Sequence, residues 1–475
     1  MSEPAPRANG DQEPMASAIR LFSAWMENWR AFRDQPGASV AVVDRQGAVW
    51  TRGYGLANRE RGIAADADTI YRIASISKVF TSIAVMQLRD AGAVSLDAPL
   101  STYLPWFSIQ GETGSDVPVT LRGILTHTSG LPREAAFPYW EENEFPTHDE
   151  IVHTIPSQEL AHPAATRWKY SNLGFTLAGE VIEAVSGKSY SDYLNELILG
   201  PLGMESTAVE VPEKLRDRLA VGYGRRFPEI GRAVRPFSDL KGVTAAGGLC
   251  SSVRDLSRFA AFLLNPSANP DVLRPATLRQ MQRVHWLRPD WRGGWGLGFG
   301  ITRQGERDLV GHGGWLAGYQ SALSTCPSEG LAVIALCNSD DSLPYIGTTE
   351  SVADRLWKWP AAAAAEAVRA PVPDPTPEPH WQAFTGRYRS HWGDREVLIL
   401  RGRLVLISPS ELDPLGTRAF LDPRPDGSFR TRSEAPFGED GDIVRFERAP
   451  DGRVTHMRTG QNRSARMETW SDPPL

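Results

Sequence analysis

The chain has 475 residues, room for two or three domains, so a lone small binding module is excluded. Hydrophobic residues make 41% and charged residues 23%, with Lys+Arg 51 against Asp+Glu 57 and a formal charge of -6. That balance is globular rather than disordered, and no net positive field draws the chain to nucleic acid.

Residues 1–15, rich in Pro, Ala, Gly and Glu, have neither a basic start nor an apolar core, and they read as a disordered tail rather than a secretory signal. Ile19, Phe22, Trp25, Met26, Trp29 and Phe32 recur at helical spacing and predict an amphipathic helix over 16–34. Two strands, 39–43 and 48–52, flank a turn at Gln46-Gly47. Helices follow near 76–90, 173–186, 190–198 and 253–264, and strands return at 295–303, 319–325 and 331–337. Strands at both ends with helices between predict one mixed sheet whose first and last strands meet, covered by helices, an α/β (α+β) arrangement.

Past Ala361 the composition changes. Pro371, Pro373, Pro375, Pro377 and Pro379 alternate with other residues, which favours an extended spacer and forbids a helix. Beyond it, short alternating segments at 396–400, 404–408, 443–448 and 454–458 carry an all-β signature, most simply a small barrel. No apolar run reaches the roughly 18 residues of a membrane span, so no membrane is expected. Cys250, Cys326 and Cys337 are odd in number and far apart, against a disulfide framework, and no His or carboxylate cluster has zinc spacing. The sequence therefore predicts a soluble, cytoplasmic protein with no metal and no cofactor, its oligomeric state left open between monomer and homo-oligomer.

The chemistry starts at Ser75-Ile76-Ser77-Lys78. A serine and a lysine three apart share a helical face, and a partly desolvated, neutral lysine can take the proton that keeps a hydroxyl from acting as a nucleophile. Ser238 and Lys241 repeat the spacing, between Pro236 and Gly242 and with no helical apolar period after them, so they carry no catalytic expectation. Two later segments add weight: Tyr170-Ser171-Asn172 before an apolar helix, and His312-Gly313-Gly314 where a strand should run along the sheet edge.

With these three in order, the chain resembles the serine β-lactamase-like and penicillin-recognising hydrolases, which use Ser-x-x-Lys, then Tyr-x-Asn or Ser-x-Asn, then Lys-Thr-Gly or a variant. The stretches from Ile124 to Pro132, Ala246 to Leu249 and Trp295 to Gly300 also resemble that family. The resemblance implies Ser75 as acylated nucleophile, Lys78 and Tyr170 as its general bases, with Asn172 holding Lys78 or the substrate amide. It implies an oxyanion hole from the backbone N–H groups of Ser75 and Trp315, with Gly313 and Gly314 leaving room for the acyl group. His127 is expected to fix a loop, and Trp286, Trp291 and Trp295 are candidates for an apolar acyl pocket. His312, where β-lactamases commonly have lysine, carries only part-time charge and recognises a carboxylate less well. The triplet is similar to that of D-aminopeptidases of the family, and Gly386-Arg387-Tyr388 resembles the opening of a lipocalin-like domain.

The expected architecture is thus a β-lactamase/transpeptidase-like fold over 16–360, with an antiparallel sheet flanked by helices, then an Ala/Pro-rich linker over 361–379 and a small lipocalin-like β-barrel over 380–475. The expected function is a serine hydrolase acting on a small ester, amide or peptide substrate, with weak or no β-lactamase activity. The competing readings are an acyltransferase or transpeptidase using the same residues, and a non-catalytic binding protein on the same fold.

Overall fold

Val40, Val42 and Val43 give the segment Gly37–Asp44 (β1) its preference for extended backbone, and most of its residues are buried, as in a strand inside a sheet. The computed structural model describes residue 30 and residues 33–341 and 378–467, apart from 113–116, 228, 292, 305–306, 401–402, 409–417 and 434–439. The tail over 1–15, nearly all of the helix expected over 16–34 and the spacer up to residue 377 lie outside the described residues. After β1 come Gly47–Asn58 (β2) and Ile63–Ala64 (β3). Tyr71–Arg72 (β4), Ala208–Val209 (β5) and Leu249–Ser251 (β6) make a small separate sheet in the order β4-β6-β5. Trp286–Leu287 (β7), Gly293–Trp295 (β8), Gly300–Gln304 (β9), Arg307–Leu316 (β10), Tyr319–Cys326 (β11) and Leu331–Cys337 (β12) complete a nine-stranded sheet ordered β3-β2-β1-β12-β11-β10-β9-β8-β7. The first and last long strands do meet: β1 runs antiparallel to β12, with Val42 opposite Val333.

Two expectations about this sheet need correction. The single strand expected over 295–303 is broken into β8 and β9, because Gly298 takes a positive φ of 82° and its N–H turns to Leu125 O at 2.8 Å. The strand that carries His312 is not an edge strand, since β9 lies beyond it. Its pairing with β9 ends at Gly311, however, so residues 312–316 pair only with β11 and keep one flank open.

The helix Ser77–Asp90 is the buried centre of the domain: Val79, Phe80, Ile83, Ala84, Val85 and Met86 are all solvent-free. Phe80 stacks on Phe259 of the helix Val253–Leu264 at 4.1 Å between ring centroids. The first turn of that second helix is capped by Ser252, whose hydroxyl accepts from Asp255 N. The helix Asn172–Ser186 begins at Ser171, which accepts from Gly174 N, and ends where Gly187 turns left-handed at φ 70°.

Gly386–Ser390 (β13), Gly393–Leu400 (β14), Arg403–Ile407 (β15), Ala419–Pro423 (β16), Phe429–Arg432 (β17), Ile443–Arg448 (β18), Val454–Thr459 (β19) and Asn462–Arg466 (β20) form a closed antiparallel barrel. Its core gathers Tyr388, Val397, Leu404, Leu406, Leu421, Phe429, Val444 and Met457. Closure removes the unpaired edges that a small open sheet would expose. The barrel packs against the first domain through the β13–β14 turn, through Arg430 of β17 and through the residues just before β18. Trp392 in that turn stacks on Trp315 at 3.9 Å, Asp442 pairs with Lys169 at 2.6 Å, and Arg430 donates to Ala161 O at 2.9 Å.

Candidate active site

Ser75 lies on the one-turn 3-10 helix Ala74–Ile76 that leads directly into the helix Ser77–Asp90, so the nucleophile candidate precedes the α-helix rather than sitting on its first turn. This segment is clamped on both sides. Ser77 Oγ accepts from Leu249 N at 3.1 Å, and Ser321 Oγ of β11 donates to Ile73 O at 2.7 Å. Ala74 is held at φ 47°, a strained value for a residue with a Cβ.

From this position Ser75 Oγ is 3.1 Å from Lys78 Nζ. Lys78 has no solvent exposure, and Nζ also meets Asn172 Oδ1 at 2.7 Å and Ala246 O at 2.6 Å. Burial holds the amine well below the ordinary lysine value; the Glu134 carboxylate opposes that shift and Arg133 adds to it.

Tyr170 is the residue before the capping Ser171, and its buried ring lies 5.0 Å from Lys78 Nζ. His127 lies against it at 4.2 Å between ring centroids, and the Arg133 guanidinium stands 5.4 Å over its ring. Ser171 N donates to His127 Nδ1 at 3.1 Å, which requires an unprotonated Nδ1, and burial pushes this imidazole well below its ordinary pKa. His127 is therefore a neutral prop for the Tyr-Ser-Asn turn.

His312 closes the opposite side, its ring 6.3 Å from that of Tyr170 and 5.5 Å from that of Trp295. The sequence suggested part-time charge here. The structure corrects that: burial, with the nearby Lys78, pushes His312 down to about 3, so it is neutral across the physiological range. Its Nδ1 hydrogen-bonds Gly313 O, and Nε2 is buried with no hydrogen-bond partner among the described residues.

The two glycines of the motif have different reasons. A Cβ on Gly314 would sit 2.3 Å from Ile73 O and 2.2 Å from Ser321 Oγ, so this glycine lets β10 approach the segment that carries Ser75. A Cβ on Gly313 would meet nothing closer than 3.6 Å. Trp315 follows immediately, and its ring packs against that of Trp392, with Trp140 5.1 Å from Trp392.

The structure thus gathers Ser75, Lys78, Tyr170, Asn172 and His312 into one cluster, with Gly314 packed against the Ile73 carbonyl. Of the three tryptophans considered for an acyl pocket, only Trp295 joins the aromatic cluster, together with Trp168; Trp291 is exposed and Trp286 is in the edge strand β7. Ser238 and Lys241 turn to other partners, Ser238 Oγ to Asn143 and Lys241 to Glu144. Sequence reasoning missed Glu134, Arg133 and Trp392. Glu134 is buried and accepts from Asn172 Nδ2 at 2.7 Å, from Arg133 Nε at 3.3 Å and from the Tyr139 hydroxyl. Its adjacency to the Ile124–Pro132 stretch was the single signal available. Among the described residues no group of three His, Cys, Asp or Glu side chains is placed to hold a metal ion, and no helix is long and apolar enough to cross a membrane.

Comparison with known proteins bears on the fold and the family. The curated relative "Unguisins hydrolase ungD'" of Aspergillus campestris is 29% identical over 325 residues, 66% of this chain and 60% of its own length, so the chain spans well under two thirds of that relative. The penicillin-binding protein homologue from Pyrococcus abyssi, described as octameric, is similar in fold at a TM-score of 0.61 and 24% identity, covering 94% of this chain and 99% of its own. A structure of SurE with D-Leu is similar at a TM-score of 0.55 and 25% identity, covering 95% of this chain and all of its own. The model of the family described as Beta-lactamase matches residues 22–377, about three quarters of the sequence, and the chain belongs to that family.

Proposed function

We propose that the protein is a serine hydrolase that works through a covalent acyl-enzyme at Ser75, on carboxylic esters or on small amides and peptides. The observation that carries this reading is the set of partners around Lys78 Nζ. A neutral amine has two hydrogens and one lone pair. Two of its three neighbours, Asn172 Oδ1 and Ala246 O, can only accept, so they take both hydrogens and leave the lone pair for the Ser75 hydroxyl. Burial favours that neutral form.

In acylation the Ser75 proton passes to Lys78 Nζ as Oγ bonds to the acyl carbon, and the carbonyl oxygen takes up the charge opposite the backbone N–H groups of Ser75 and Trp315. The leaving alkoxide or amine departs with a proton from Tyr170, which Lys78 replaces. In deacylation water attacks the ester carbon, gives its proton to the same pair, and releases the carboxylic acid and Ser75.

His312 argues against efficient β-lactam turnover. With Nδ1 on Gly313 O, its Nε2 presents a lone pair in place of the cation that would hold a substrate carboxylate. A group that donates suits it better, such as the amine or amide N–H of an amino-acid derivative. The likeness to SurE, solved with D-Leu, supports including D-amino-acid amides among the substrates tested. The test is turnover of short-chain p-nitrophenyl esters and D-amino-acid amides: Ser75→Ala should reduce it to background, and undiminished turnover in that variant would refute the reading.

A further inference from the structure

We infer that Glu134 is a positioning residue: its carboxylate dictates which end of the Asn172 amide faces Lys78, and so keeps the Lys78 lone pair directed at Ser75. The inference rests on the acyl-enzyme reading above and deepens it.

An ionised carboxylate has no hydrogen to give, so the Asn172 atom beside Glu134 Oε1 at 2.7 Å must be the NH2, and the oxygen must be at the other end, 2.7 Å from Lys78 Nζ. The rest of the Glu134 environment consists of donors. Arg133 Nε reaches the same oxygen at 3.3 Å, and the hydroxyl of buried Tyr139 donates to the other. Burial and the carboxylate itself push the Tyr139 phenol well above its ordinary pKa, so it remains a donor. The backbone holds the pieces in register, since Asn172 N donates to Arg133 O at 2.7 Å and Gln158 Nε2 donates to Glu134 O at 3.1 Å.

Without Glu134 the amide keeps Lys78 as its single side-chain hydrogen-bond partner among the described residues, and a neutral amine can either donate to its oxygen or accept from its NH2. Asn172 Nδ2 would then donate to the Lys78 lone pair, and the amine would no longer accept from Ser75. Glu134 also acts through charge. The titratable and charged groups bearing on Lys78 are Arg133, His127, His312, Tyr170 and Glu134, and Glu134 is the anion among them. Its removal favours the neutral amine, which moves the acid limb of the pH–rate profile to lower pH.

Two variants separate these effects. Glutamine at 134 can keep its oxygen toward Asn172 and Arg133 while losing the charge. Leucine keeps neither. Turnover of a p-nitrophenyl ester is measured per active site titrated with a fluorophosphonate, across pH, alongside Ser75→Ala. The expected result is that Glu134→Gln stays within about tenfold of wild type at the plateau, with its acid limb displaced to lower pH. Glu134→Leu should lose about 100-fold in kcat per titrated site with KM little changed, the usual scale for misplacing a reacting group. Wild-type kcat per site and an unmoved acid limb in both variants would overturn the inference, as would a Glu134→Leu defect confined to the number of titratable sites. Should Glu134→Leu not fold, the acid limb of Glu134→Gln decides alone. Turnover surviving in Ser75→Ala defeats the underlying reading instead, so the two failures are distinguishable.

Discussion

Lys78 is one of six lysines in the chain and has no exposed surface, which removes most of the ambiguity that a surface lysine carries. Its environment divides the work. Ala246 O and Asn172 Oδ1 occupy two directions, Ser75 the third, and the Tyr170 ring lies 5.0 Å away. Tyr170→Phe keeps that ring and its contacts with His127, so it should leave the fold intact while lowering kcat by about two to four decades, the range for losing a positioned acid or base. Steady-state kinetics on the purified variant checks this, and near-normal kcat would remove the phenol from the mechanism. Ser75 and Lys78 were legible because they are three residues apart, where helical geometry alone brings them together. Glu134 was not, because it meets Asn172 across 38 residues of chain and no periodicity links them. The charge of His312 was misjudged for a related reason: its burial depends on Tyr170, Trp295 and Lys78, which only the fold assembles around it.

Strands β10 and β11 together hold the segment from Ile73 to Ser77, because Gly314 of β10 packs against Ile73 O and Ser321 Oγ of β11 donates to it. Gly314→Ala drives a Cβ into the Ile73 backbone oxygen, which already accepts from Ser321 Oγ. This substitution should destabilise the domain by about 1–3 kcal/mol, as overpacking does, and lower kcat as the Ser75 turn shifts. Gly313→Ala meets no such obstacle and should be nearly neutral in stability. Equilibrium unfolding of the two variants checks the contrast, and equal effects would contradict it. At this scale much was readable. The helices at 76–90, 173–186 and 253–264 follow from apolar period and their boundaries match within a residue or so. The break between β8 and β9 was missed because Gly298 turns there to meet Leu125, a tertiary contact that outweighs the strand propensity of its neighbours.

At the level of the whole chain, the barrel is joined to the site rather than hung from it. Lys169, the neighbour of Tyr170, is 2% exposed and pairs with Asp442 of the barrel, while Trp392 covers the ring of Trp315, the residue after Gly314. Breaking a buried pair at one end leaves an uncompensated charge. Asp442→Ala should therefore cost about 3–5 kcal/mol, and adding Lys169→Met should recover much of it. Thermal or urea unfolding tests this; an unchanged midpoint in Asp442→Ala would show that the pair does not bind the two units. The all-β character of the last hundred residues was visible in their alternation, because a barrel strand needs little more than period two. Which turn of the barrel would meet the first domain was not, since docking depends on Trp140, Trp315 and Trp392 converging from three distant parts of the sequence.

The most direct measurement is to treat the protein with a fluorophosphonate, digest it and locate the adduct by mass spectrometry. A single modified peptide is expected, with the phosphonyl group on Ser75 and no labelling in Ser75→Ala. A modified residue elsewhere, or hydrolysis of the test esters by a protein whose Ser75 stays unmodified at full occupancy of the probe, would contradict it.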